Sequence, residues 1–108
     1  ERDENDAAAF HAVALLGARC VGTGGLGRQE GGGGRVGRMA VDADFRRLGV
    51  GERVLEALEA RARADGLVEI ELHAQCYVET FYLKHGYTRV GEVFLEAGIE
   101  HVVMTKRL

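Results

Sequence analysis

Residues 36–65 constrain the chain more than any other stretch. An apolar, strand-like run over 36–41 leads through Arg46-Arg47-Leu48-Gly49-Val50-Gly51 into a helix-periodic segment over 50–65. Val50, Val54, Leu55, Leu58 and Ala62 share one stripe of that helix, with Glu52, Arg53, Glu56, Glu59 and Arg63 elsewhere. Glu52 suits the positive end of the helix dipole, Glu59 and Arg63 are spaced for an i,i+4 ion pair, and Gly66 is placed to stop the helix. A strand that turns through glycines into a helix start leaves unpaired N–H groups pointing outward, where an anion is favoured. Gly49 and Gly51 have no Cβ to keep phosphate oxygens from the backbone, and Arg46 and Arg47 add charged donors. Two readings stand on these residues alone: a phosphate cradle, and a glycine-rich entry to a surface helix with no ligand.

The rest of the composition narrows the class. The 108 residues suit one small domain spanning 1–108, and 46% hydrophobic with 29% charged residues describes a folded chain. A net charge of −3 with both signs interspersed argues against a nucleic-acid grip, which needs a basic face. No apolar run approaches the roughly 20 residues that span a bilayer, and residues 1–6 are too charged for a signal peptide. Cys20 and Cys76 are too few for a disulfide framework or a zinc site; reduced thiols in a cytoplasmic setting are expected, with no metal.

In chain order, 7–16 reads as a buried strand carrying His11, which is taken as a packed residue, and Gly17 turns it into a short strand over 19–23. Gly22-Thr23-Gly24-Gly25-Leu26-Gly27 matches G-x-G-x-x-G, but the glycine run after it cannot hold the helix that dinucleotide binding requires. Residues 24–34 are therefore expected to form a mobile hairpin loop. A strand over 68–74 should place Val68, Ile70, Leu72 and Ala74 on one face and Glu69, Glu71 and His73 on the other. A short helix over 77–84 and strands over 87–94 and 100–106 complete the order β-β-β-α-β-α-β-β. The fold class is α/β (α+β), a mixed sheet with helices on both faces.

Two motifs carry a resemblance. Arg46-x-x-Gly49-x-Gly51 is similar to the pyrophosphate loop of the GNAT family of N-acetyltransferases, and Phe81-Tyr82-Leu83-Lys84-His85-Gly86-Tyr87 resembles that family's second signature, in the same order with a strand between them. The ending over 91–101 resembles a subgroup of small acyltransferases. The resemblance covers nearly the whole chain and implies a GNAT-like sheet with acetyl-CoA as co-substrate. It places pantetheine along the backbone of Met39, Ala40 and Val41, a backbone N–H near Val41 on the thioester carbonyl, and the diphosphate on Arg46, Arg47, Leu48, Gly49, Val50 and Gly51. Gln75 stands where many members have Asn and can still bind a pantetheine amide, while Val78 replaces a common Ala and narrows the wall beside it. Tyr82 matches the tyrosine that protonates the departing thiolate.

The resemblance also implies a first strand and one or two helices ahead of residue 7, so the domain is read as N-terminally incomplete, with a sheet face that a homodimer could bury. The strand over 35–41 supplies no carboxylate as base; Glu69, Glu71, His73 and His101 remain as alternatives, with His73 and His101 taken as acceptor-binding residues. Cys76 would lie near the thioester, but nothing in the sequence activates it, so direct transfer is preferred. The expected function is acyl transfer from acetyl-CoA to an amine on a small molecule or peptide, with no nucleic-acid or membrane partner. A non-catalytic CoA-binding or regulatory domain is the alternative, and a nucleotide-binding module using the glycine-rich segments ranks third.

Overall fold

The computed structural model describes residues 10–108. The expectations for residues 1–9, a frayed polar start and the first part of the opening strand, lie outside that range. Strands β1 (Phe10–Leu16), β2 (Arg19–Arg28) and β3 (Gly33–Val41) lead through a 3-10 turn at Ala43–Phe45 into helix α1 (Val50–Ala64). Strand β4 (Glu69–Gln75), a second 3-10 turn (Cys76–Val78), helix α2 (Glu79–Lys84) and strands β5 (Thr88–Glu96) and β6 (Ile99–Arg107) follow. The expected element order holds.

The six strands form one sheet in the order β1-β2-β3-β4-β6-β5. Every neighbouring pair is antiparallel except β3 and β4, which run parallel because α1 carries the chain across between them. Gly66, at φ +79°, ends that helix as its position suggests. The alternation in β4 is as expected from Ile70 onward: Ile70, Leu72 and Ala74 are buried against the helices, with Leu55, Leu58, Val102 and Met104 in the same core. Val68 departs from the pattern. It lies ahead of β4 with its side chain exposed, and its backbone joins Gly32 to Leu108 by two hydrogen bonds of 3.0 Å.

Helical cover was expected on both faces, but α1 and α2 share one. Phe81 of α2 packs at the start of α1, where a Cβ on Gly51 would meet its ring at 3.5 Å, and Tyr82 joins the same core as Leu55 and Leu58. The other face of β4 presents Glu69, Glu71 and His73, which give an apolar helical stripe nothing to bury against. Strand β1 is also less buried than its composition suggests. Among the described residues it lies at the edge of the sheet, with Ala12 buried and Val13, Leu15 and Leu16 exposed. His11 is exposed as well, rather than packed.

The largest correction concerns the glycines. The expected mobile loop over 24–34 is mostly sheet: β2 runs on to Arg28 and β3 begins at Gly33. The glycines are there because α1 lies directly on β2. A Cβ on Gly22 would come within 2.5 Å of Val50 Cγ1, and one on Gly24 within 2.8–2.9 Å of Met39 Sδ, Val54 Cγ1 and Leu58 Cδ1. The G-x-G-x-x-G match sits inside this strand with no helix opening at it, which removes the nucleotide-module reading. Gly24→Ala should destabilise the fold by about 2 kcal/mol through overpacking. Gly37→Ala, with nothing within 4 Å of its Cβ, should leave stability within about 0.5 kcal/mol. Urea unfolding of the two variants checks the contrast.

No helix among the described residues is long and apolar enough to cross a membrane.

Candidate active site

The site begins where two parallel strands part. Strands β3 and β4 are paired from Gly33↔Glu69 to Val36↔Leu72 and no further. Just past that point Arg38 has φ +58°, and the register of β3 on β2 jumps from Gly25↔Gly37 to Thr23↔Ala40. Three residues of β3 thus span two of β2, a bulge that bends β3 away from β4. The opening is a cleft of about 750 Å³ with Met39, Ala40 and Val41 on one wall and Ala74, Gln75 and Val78 on the other.

One end of the cleft is the start of α1. Arg46, Arg47, Gly49 and Gly51 line it. Arg47 and Gly49 have φ of +68° and +83°, so the backbone coils tightly before the helix begins. Gly49 is the N-cap and supplies no side-chain acceptor to the first-turn N–H groups. Asp42 is taken up elsewhere: it accepts from the Asp44 N–H and holds Arg19 at 2.6 Å, and these two contacts keep its carboxyl below the ordinary range. Arg46 and Arg47 form no ion pair among the described residues, which leaves two cations beside the uncapped helix start. Leu48 and Val50 do not line the cleft with their side chains. Leu48 is 68% exposed, and Val50 packs on the core above Gly22.

Tyr82 lines the same cleft although it is only 7% exposed. Its ring is wedged edge-on against Phe81 and Tyr87, with centroids 5.0 and 5.7 Å away. Every fully buried side-chain polar atom among the described residues has a hydrogen-bond partner. The Tyr82 hydroxyl has none in the protein, so it opens to the cleft. Burial raises its pKa to about 12, and the hydroxyl therefore keeps its proton at neutral pH.

Because the two strands have parted, the cleft reaches through to the face away from the helices, where His73, Gln75 and His101 line it. His73 is enclosed by partners: its Nδ1 is 2.9 Å from Glu96, and Arg35 lies 3.0 and 3.3 Å from its two ring nitrogens. That contact is the main reason the Glu96 carboxyl titrates below its usual range. His101, 7% exposed, hydrogen bonds through Nδ1 to the Ile99 carbonyl at 2.7 Å, and its ring lies 5.9 Å from that of Phe94. Cys76 packs partly buried against the core and is not itself among the residues lining the cleft, although its neighbours Gln75 and Tyr77 are; both cysteines are free. Among the described residues no group of three or more His, Cys, Asp or Glu is arranged to hold a metal.

Two features escaped sequence reasoning. His85 lines the cleft with its ring tilted against that of Phe81, centroids 4.8 Å apart; its place within the second signature was the available signal. Glu59 makes no i,i+4 pair with Arg63. It is 6% exposed and accepts from the Tyr87 hydroxyl at 2.8 Å and from Lys106 Nζ at 3.1 Å. The clue was its spacing from Leu55 and Ala62, which puts it on the buried stripe. The exposed i,i+4 pair of this helix is Arg61–Asp65.

Comparison with known proteins gives this geometry a setting. The family model described as the acetyltransferase (GNAT) domain matches residues 1–108. The uncharacterized N-acetyltransferase YjcF of Bacillus subtilis is 38% identical over 107 residues, covering 98% of this chain and 76% of that protein. The chain spans about half the length of two other curated relatives it matches, 50% and 48%. Among solved structures, a Lactobacillus plantarum protein provisionally named an N-acetyltransferase superposes with a TM-score of 0.85 at 29% identity, over 91% of this chain and 68% of that one. An aminoglycoside 6'-N-acetyltransferase solved in complex with coenzyme A superposes with a TM-score of 0.78 at 22% identity, over 92% and 72%, a likeness of fold.

Proposed function

The chain belongs to the GNAT acetyltransferase family, and from that premise we propose that it transfers an acetyl group directly from acetyl-CoA to an amine on a small molecule or peptide. The observation that carries this reading is the convergence on one cleft of a parted strand edge, an uncapped helix start flanked by Arg46 and Arg47, and the hydroxyl of a buried tyrosine. The backbone of Met39, Ala40 and Val41 lies beyond the last β3–β4 pair and can take the pantetheine arm as an added strand. Gln75 offers an amide to the same arm from the facing wall. The diphosphate fits against the N–H groups of Val50 and Gly51, beside Arg46 and Arg47. Such a donor would bring its thioester to the part of the cleft that Tyr82 reaches, and the acceptor amine would enter from the face of His73 and His101. An attack from one side of the sheet on a donor held at the other needs no enzyme-bound acyl group, in keeping with a Cys76 turned into the core.

Thermal unfolding with CoA, acetyl-CoA, ATP and NAD, added separately, tests the donor. At about 100 times its dissociation constant a ligand stabilises by roughly 2.7 kcal/mol, a shift of several degrees for a domain of this size. CoA and acetyl-CoA should give that shift, and ATP and NAD should not. Thiol release from acetyl-CoA should then depend on an added amine, with spermidine, phenethylamine and N-terminally blocked lysine as probes. A CoA shift without amine-dependent thiol release from any of the three would favour a CoA-binding regulatory domain instead.

A further inference from the structure

The hydrogen bond between His101 Nδ1 and the Ile99 carbonyl settles which ring nitrogen carries the proton. A carbonyl oxygen only accepts, so Nδ1 is the protonated nitrogen, and the neutral ring has its bare lone pair on Nε2. His101 is almost fully buried, yet no fully buried side-chain nitrogen or oxygen among the described residues lacks a partner. Nε2 has no partner in the protein, so it faces the cleft that His101 lines together with Tyr82. The Phe94 ring lies 5.9 Å away at a tilt of 31°, Gln75 is the register partner of His101 on β4, and the Nδ1 bond to the Ile99 carbonyl orients the imidazole. His73, the other histidine of the cleft, is poorly placed to accept a proton: Arg35 lies against both of its nitrogens, and Glu96 occupies Nδ1.

We propose that His101 is the general base of the transfer and accepts a proton from the acceptor's ammonium group at Nε2. This rests on the N-acyltransferase reading above. The ammonium R–NH3+ gives one proton to Nε2. The freed lone pair forms a C–N bond to the thioester carbonyl carbon. The C–S bond breaks with its electrons on sulfur, and the thiolate takes the Tyr82 hydroxyl proton. The second proton of the amine nitrogen returns to the Tyr82 oxygen through water, and the proton on Nε2 leaves to solvent. The products are the amide, the CoA thiol and one proton. The Ile99 carbonyl does for His101 what an orienting carboxylate does for other histidine bases, fixing the tautomer. The charged and titratable groups around this imidazole are Glu96 on β5, His73 on β4, Arg35 on β3 and Tyr82 on α2, with Glu100 beside it on β6.

The test is the pH dependence of acetyl transfer to whichever of spermidine, phenethylamine or blocked lysine is turned over fastest, in the wild type and in His101→Gln. At pH 7 the variant should lose about 100-fold or more in kcat. Its acid limb should move up to the titration of the acceptor amine itself, so that the gap to the wild type closes as pH rises, and its thermal shift with CoA should persist. Rates within threefold of the wild type with the acid limb intact would overturn the assignment. The wild type supplies a check that needs no variant: nitrogen NMR of the imidazole should show Nδ1 protonated and Nε2 titrating at the pH of the acid limb in kcat/KM. A proton on Nε2 in the neutral ring, or a limb displaced by a full unit from that titration, would also overturn it. These failures differ from failure of the underlying reading, in which no amine is turned over or CoA gives no shift at all.

Discussion

Tyr82→Phe should lower kcat for acetyl transfer by about 100-fold or more while leaving the CoA-induced thermal shift intact. Phenylalanine keeps the ring wedged against Phe81 and Tyr87, so the core loses nothing it packs with. What disappears is the one hydroxyl that reaches the cleft from α2. The pH behaviour is specific. An acid works only while protonated, so the contribution of Tyr82 is present at low and neutral pH and is lost as pH rises through its pKa of about 12. No alkaline limb from this group should enter a neutral assay; single-turnover rates with saturating acetyl-CoA, measured in parallel with thermal shifts, check both statements. An unchanged chemical step in the variant would remove the tyrosine from the mechanism.

The second large effect belongs to the scaffold. Glu59 of α1 is buried where it meets the Tyr87 hydroxyl and the Lys106 ammonium, and Lys106 also lies 5.5 Å over the Tyr87 ring. This contact ties the long helix to β6 and to the residue that closes the second signature. Lys106→Met should destabilise the fold by about 3 kcal/mol, because the carboxylate stays buried without its cation. For a domain of this size that is a fall in Tm of more than about 10 °C. Adding Glu59→Gln should recover much of the loss, since the amide oxygen still accepts from Tyr87 and no charge is left behind. Calorimetry on the two single variants and the double variant closes the cycle, and a double variant no more stable than Lys106→Met alone would refute the account.

Much of this was legible in the sequence, and the failures share a cause. The α1 stripe, the β4 alternation from Ile70 and the two signature segments are local patterns, and they came out in place. The glycines of β2 did not, because a glycine's low strand propensity is a local property. Its role under Val50, Val54 and Leu58 exists only once the helix has folded onto the strand. Glu59 misled in the same way: charge suggested a solvent-facing pair, whereas its partners are 28 and 47 residues away. The cleft divides along the same line. Arg46, Gly49, Gly51 and Tyr82 could be named from motif spacing. The bulge at Arg38 that opens the site, and the carbonyl that fixes the His101 tautomer, arise from strand pairing and are invisible in the string of residues.

The early end of the β3–β4 ladder has a mechanical meaning. The sheet is two three-stranded leaves, β1-β2-β3 and β4-β6-β5, bound along a short spine of four residue pairs and by the contacts of Glu59 on α1 with Tyr87 and Lys106. Beyond that spine no ladder pairing joins β3 to β4, so the two leaves are held there by side chains alone. An extended molecule lying in the gap, hydrogen-bonded to the β3 margin, would lengthen the seam and stiffen the pair. Rigidity in such a protein is partly borrowed from its ligand, and any change that loosens the spine would be felt as weaker binding before it was felt as unfolding.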